Sequence, residues 1–167
     1  FGSLLLKPAH LTKPEEFDDV VAVNLRSSFA LVRAATRVMM ANASPAGGSI
    51  ALVASAAARI GLANHEAIAA AKGGVIGLTL AAAASYAPKG IRVNCVAPGL
   101  VRTPLTSRIT SSAAAEQASV AMHALGRIGE PQDVAGALAW LLDREQASWV
   151  TGQVIGVDGG LGTLRSR

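Results

Sequence analysis

The chain has 167 residues, 51% of them hydrophobic and 16% charged, which excludes a disordered polar segment and suits one domain with a real core. The net charge is +4, yet the basic residues are scattered: Arg33 and Arg37 on one helix face, then Arg92, Arg102 and Arg108, then Arg165 and Arg167 in the tail. No aromatics alternate with them, so they read as solvated positions and not as a nucleic-acid surface.

Aromatics make up only 4%, and much of the apolar content is alanine and valine, so helices packed closely on a sheet are expected. "PAHLTKPEEFDD" (8–19) reads as a loop and a helix start, with Thr12 as N-cap and Pro14 and acidic residues in the first turn. Phe17, Val20, Val21, Leu25, Phe29 and Val32 carry the helical pattern to about Ala41, where "ANASPAGG" supplies turn chemistry. "SIALVAS" (49–55) is a continuous apolar run after glycines, the pattern of a buried parallel strand.

Asn64 is placed to cap a long helix from about His65 to Tyr86, apolar nearly all round and therefore buried on more than one side. Gly73, Gly74 and Gly77 inside it each cost about 1 kcal/mol relative to alanine, which predicts a close backbone approach to a sheet or a partner helix. "PKG" stops this helix, and "IRVNCVAP" (91–98) is a second buried strand. Its Cys95, the only cysteine, can form no internal disulfide and reads as a buried, inert thiol. Residues 99–126 are small, polar and irregular, with weak helical segments; His10 and His123 read as surface or loop residues. "EPQDVAGALAWLLD" (130–143) is a helix with Pro131 in its first turn, and "GQVIGVDGG" (152–160) a third strand.

Strand–helix–strand alternation predicts a parallel α/β sheet. The most apolar helical span, 67–87, contains Lys72, and a lysine near a bilayer centre costs about 2.5–3.5 kcal/mol, so no membrane span is expected. Nothing reads as a signal or transit peptide, and a cytoplasmic location is expected. Three strands are few for such a sheet, the 49–55 strand has a bare edge, and the chain opens on Phe1; a natural chain extending further upstream is expected.

The residues that carry chemistry fall near or beyond the C-terminal ends of the strands, where open α/β sheets bind ligands. Ser55 closes the first strand. Pro98 and Gly99 close the second, with Val101 and Thr103 just after. Lys72 lies in the second turn of the long helix, and Asn24, a poor helix former, sits inside the first. No metal site is singled out.

In order along the chain, "VAVNLRSSF", "IALVAS", "AAAKGGVIGLT", "GIRVNCVAPGLVRTPLT", "RIGEPQDVAGALAWLLD" and "VTGQVIGVDGG" resemble the short-chain dehydrogenase/reductase family, from Pro8 to Gly160. The resemblance implies a Rossmann-like doubly wound parallel sheet. Residues 1–167 would be its C-terminal part, a single partial domain of three strands with flanking helices. It further implies NAD or NADP as cofactor and hydride transfer between an alcohol and a ketone of a small-molecule substrate. A homodimer or homotetramer would form through helix 65–86. Asn24, Ser55 and Lys72 match the family's catalytic set. Lys72 would meet the cofactor's ribose hydroxyls, Ser55 the substrate oxygen, and the turn of Pro98, Gly99, Val101 and Thr103 the carboxamide. The segment from Leu105 to about Leu125 would be the substrate lid.

Two features depart from the family. Its catalytic tyrosine stands four residues before the lysine, and here that position is Ile68. General acid–base catalysis contributes roughly 10²–10⁴-fold, and isoleucine has no proton to move. His65, three residues earlier on the same helical face, is a candidate replacement; the alternative is a first-turn residue facing solvent or the cofactor. Tyr86, eighteen residues on from Ile68, is out of reach. The second departure is that no glycine-rich phosphate loop precedes Asn24. Three readings remain open: an oxidoreductase whose turnover needs a longer form, a catalytically silent binding or oligomerisation module, and a plain structural α/β fragment.

Overall fold

The computed structural model describes residues 2–41 and 47–164. Most of the turn expected at 41–48, and the tail arginines Arg165 and Arg167, lie outside the described residues. In chain order the elements are α1 (Pro14–Val21), a π-helical turn (Ala22–Arg26), α2 (Ser27–Ala41), β1 (Gly48–Val53), α3 (Glu66–Tyr86), β2 (Ile91–Pro98), α4 (Ala113–Met122), α5 (Pro131–Leu142) and β3 (Val154–Val157).

The three strands form one sheet in the order β1-β2-β3, all parallel, as the helical crossovers require. Strand alternation sorts the residues onto two faces. Ile50 and Leu52 pair with Val93 and Cys95, and together with Ile91 and Ala97 they bury against Val32 of α2 and Val75, Ala82 and Ala83 of α3. The other face carries Ser49, Arg92 and Asn94 towards α5 and β3. Ser49 Oγ and Arg92 Nη1 both donate to the Leu141 carbonyl at the end of α5, and Arg92 Nη2 donates to the Asp143 carbonyl. These bonds satisfy the orphan carbonyls of that helix end. Asn94, fully buried, donates to the Val150 carbonyl and accepts from the Gln153 N–H, which sets the approach of β3.

By length and composition α3 could cross a bilayer. Instead it joins neighbouring strands of one sheet and packs on them through Val75, Thr79, Ala82 and Ala83. Its glycines divide. A Cβ on Gly74 would lie 2.6 Å from Leu25 Cδ2, so this glycine does permit a close approach, to the preceding helix. A Cβ on Gly73 or Gly77 would meet nothing within 4 Å among the described residues, so no close approach there explains these two glycines.

Both expected N-caps move. Lys13, not Thr12, precedes α1, and Glu16 Oε2 accepts from the Lys13 N–H at 2.8 Å; the Thr12 hydroxyl bonds back to the Pro8 carbonyl. Asn64 does not cap α3. It takes the left-handed conformation at φ 62°, which asparagine tolerates, and His65 stands at the cap. The Asn64 carbonyl accepts from the Lys7 N–H, tying the N-terminal segment to this turn.

Candidate active site

A cleft of about 820 Å³ opens beyond the C-terminal ends of β1 and β2. Asn24, Ser55, His65, Ile68, Lys72, Pro98, Gly99, Val101 and Thr103 all line it, so the fold gathers every candidate site residue around one cleft.

Lys72 projects from the second turn of α3. Its Nζ donates to the Val53 carbonyl at the end of β1, at 2.9 Å, leaving two donors for an acceptor in the cleft. Burial pushes its pKa below the ordinary lysine value. Cys95, fully buried beneath, has its thiol pKa pushed up by the same desolvation and stays inert.

Ser55 lies two residues past the end of β1, not within it, as N-cap of a short 3₁₀ turn (Ala56–Ala58). Its Oγ accepts from the Ala57 N–H at 3.1 Å, which leaves the hydroxyl proton to donate. Asn24 sits in the π-helical turn. Its Nδ2 donates to the Val20 carbonyl four residues back, the partner its own backbone N–H would take in a regular α-turn. The same amide bonds Ser3 Oγ and the Ser3 carbonyl, and Oδ1 accepts from the Ser3 N–H. Asn24 is thereby buried and anchors the segment whose Ser3, Leu4 and Leu6 line the cleft.

Ile68 is 4% exposed, in a cluster with Val20, Ala67 and Ala71. His65 Nδ1 lies 2.7 Å from the Ala63 carbonyl, so the ring proton is held there and Nε2 is left as the open nitrogen. In the turn after β2, Thr106 Oγ1 accepts from the Thr103 N–H at 3.0 Å and bonds the Val101 carbonyl, fixing that loop without using Thr103 Oγ1 as its only support.

One histidine corrects the sequence reading. His10 is exposed as expected, but His123 is buried at 3% exposure and lines the cleft. Leu4, Leu6 and Val134 are further wall residues that sequence reasoning missed. Their apolar character is a signal shared by every core residue, and only the chain's path separates wall from core.

An open parallel sheet flanked by helices, with its polar residues gathered at the C-terminal strand ends, defines an α/β protein of the doubly wound class. A family model described as Enoyl-(Acyl carrier protein) reductase matches residues 1–162. The chain is 38% identical over 89% of its length to the 3-oxoacyl-(acyl-carrier-protein) reductase FabG of Thermotoga maritima. It is 42% identical over 84% of its length to the cyclohexanol dehydrogenase of an Acinetobacter species. The solved structure of a 4-hydroxyisoleucine dehydrogenase mutant complexed with NADH and succinate superposes with a TM-score of 0.90 at 29% identity, covering 100% of this chain and 67% of that one. The chain belongs to the short-chain dehydrogenase/reductase family. It spans 58% of the Thermotoga reductase and 52% of the cyclohexanol dehydrogenase.

Proposed function

We propose that this chain forms the substrate and nicotinamide half of an NAD(P)-dependent oxidoreductase acting on an uncharged alcohol or ketone. The observation that carries the reading is the cleft that brings Lys72, Ser55 and the Pro98–Thr103 turn together. The donor set fits a nicotinamide nucleoside: two spare ammonium donors on Lys72 suit vicinal ribose hydroxyls, and the turn offers backbone groups to a carboxamide. When bound, the cofactor supplies or accepts the hydride. The Ser55 hydroxyl donates to the substrate oxygen and orients it. Asn24 acts as an anchor for the wall at Ser3. Among the described residues, Lys72, His65 and His123 are the basic side chains that line the cleft, and no carboxylate does. A cationic substrate would find no counter-charge there, and the mostly apolar lining suits a largely apolar, uncharged one.

Ile68 leaves the proton step without its phenol. His65 takes it in this reading: with Nδ1–H held by Ala63, Nε2 accepts the alcohol proton during oxidation, and the imidazolium so formed returns that proton to the substrate oxygen during reduction. The burial of Ile68 favours the second reading, a silent binding module that kept the cleft and lost turnover. The homo-oligomer stays part of the proposal: α3 presents Gly73, Gly77 and Leu80 outward, and a second copy of α3 is the expected occupant. A cytoplasmic placement stays part of the proposal.

The test is carbonyl reduction by the natural full-length protein and its variants. Ile68→Tyr should raise turnover, since it restores an acid beside Ser55. His65→Ala should lower it by roughly 10²-fold or more. Turnover absent in the parent and in Ile68→Tyr, with cofactor still bound, establishes the silent module instead.

A further inference from the structure

His123 closes α4 and is buried between two parts of the cleft wall. The Leu100 N–H donates to its Nε2 at 3.2 Å, and its Nδ1 lies 2.7 Å from the Ser119 carbonyl. A nitrogen that accepts at Nε2 leaves the ring proton on Nδ1, where the Ser119 carbonyl takes it, so one neutral tautomer satisfies both bonds. The chain makes room for this ring. A Cβ on Gly99 would lie 2.7 Å from Nε2 and 3.1 Å from the Cα and carbonyl oxygen of Asp158, so no larger residue fits there without displacing the imidazole or β3's end. Gly159 packs on the ring's other side, with Cδ2 at 3.5 Å from where its Cβ would stand.

The Leu100 bond completes a set. The Gly99 N–H goes to the Val157 carbonyl at 3.2 Å, the Arg102 N–H to the Gly129 carbonyl at 2.9 Å, and the Leu100 N–H to the histidine. Gly99, Leu100 and His123 also line a second cavity of about 450 Å³, so the ring stands in the partition between that space and the cleft.

We propose that His123 is a positioning residue: it fixes the Leu100 amide, and with it the Leu100–Thr103 backbone at the cofactor end of the cleft, and it couples this turn to α4 across it. Its consequence for cofactor rests on the oxidoreductase reading; its effect on the turn does not.

Three variants separate the bonds. His123→Gln keeps an acceptor where Nε2 stood, His123→Asn keeps a donor only near Ser119, and His123→Leu keeps neither. Amide hydrogen exchange at Leu100, read by NMR without ligand, should stay slow in the Gln variant and quicken by roughly tenfold or more in the Asn and Leu variants. Exchange at Val75 in the core reports that each variant is folded. NADPH affinity should follow the same split, weakening by about tenfold in Asn and Leu and recovering in Gln. Equal Leu100 exchange in all three variants overturns the proposal. So does an exchange split with identical NADPH affinities. A natural full-length protein that binds neither NADH nor NADPH counts against the oxidoreductase reading alone, because the exchange split is read without them.

Discussion

Lys72 is held at a cost to the fold. Burial sets its folded pKa below the unfolded value, about 10.4, so the charged form disfavours the folded state at neutral pH. Between the folded and unfolded pKa values the unfolded chain binds the extra proton, and stability rises with pH. Lys72→Met should therefore leave thermal stability at pH 7 unchanged or higher and abolish that alkaline rise. The same variant should weaken nicotinamide nucleotide binding by about 1–3 kcal/mol, the range for charge-assisted hydrogen bonds. Melting curves from pH 7 to 11 with parallel calorimetry check both; a variant that melts lower would make the Val53 bond structural rather than Lys72 a ligand group. Lys72, Ser55 and Asn24 were legible because each breaks its local pattern: a cation in an apolar helix, a hydroxyl at a strand's end, an amide inside a helix. His123 was not. Its partner Leu100 is 23 residues away, and no spacing announces a ring that is buried through so distant a contact.

At the scale of elements, apolar runs and turn residues located all three strands and the 130–143 helix, with boundaries displaced by up to three residues. Burial on both faces of a parallel sheet leaves continuous apolar runs that are hard to mistake. The caps were misread for a physical reason: the side chain that lets asparagine cap a helix also lets it adopt the left-handed conformation, and at Asn64 the turn takes precedence. The glycines of α3 were grouped in the sequence and separate in the structure. A Cβ on Gly77 would meet nothing within 4 Å among the described residues, so Gly77→Ala should raise the stability of the isolated chain by about 1 kcal/mol through helix propensity. Gly74→Ala forces Leu25 to move and should fall below Gly77→Ala by about 1–3 kcal/mol. Chemical denaturation at low concentration measures both. If copies pair through α3, sedimentation should show a dimer in the parent that Gly77→Ala weakens; a monomer at micromolar concentration in both would remove the dimer from the account.

At the scale of the whole molecule, β1 and β3 are the edges of a three-stranded sheet, and apolar side chains stay open on α2, among them Phe29, Leu31 and Val38. Parallel sheets are ordinarily covered on both faces, and this chain spans little more than half of its curated relatives. The order of the motifs revealed the class of fold, while the place of the Ser3–Leu6 segment at the cleft depended on tertiary contacts between Asn24 and Ser3 and between Lys7 and Asn64, and that of the α4 end on the bond between His123 and Leu100. The central claim is that these residues receive the nicotinamide end of the cofactor. Saturation-transfer NMR tests it on the chain itself: aliphatic protein protons are irradiated in the presence of NADPH or NADH, and the cofactor's ring protons are read. The account predicts strong transfer to the nicotinamide and adjoining ribose protons, weak transfer to adenine, and loss of the nicotinamide signal in Lys72→Ala. Transfer confined to adenine, or equal in the parent and Lys72→Ala, would contradict it.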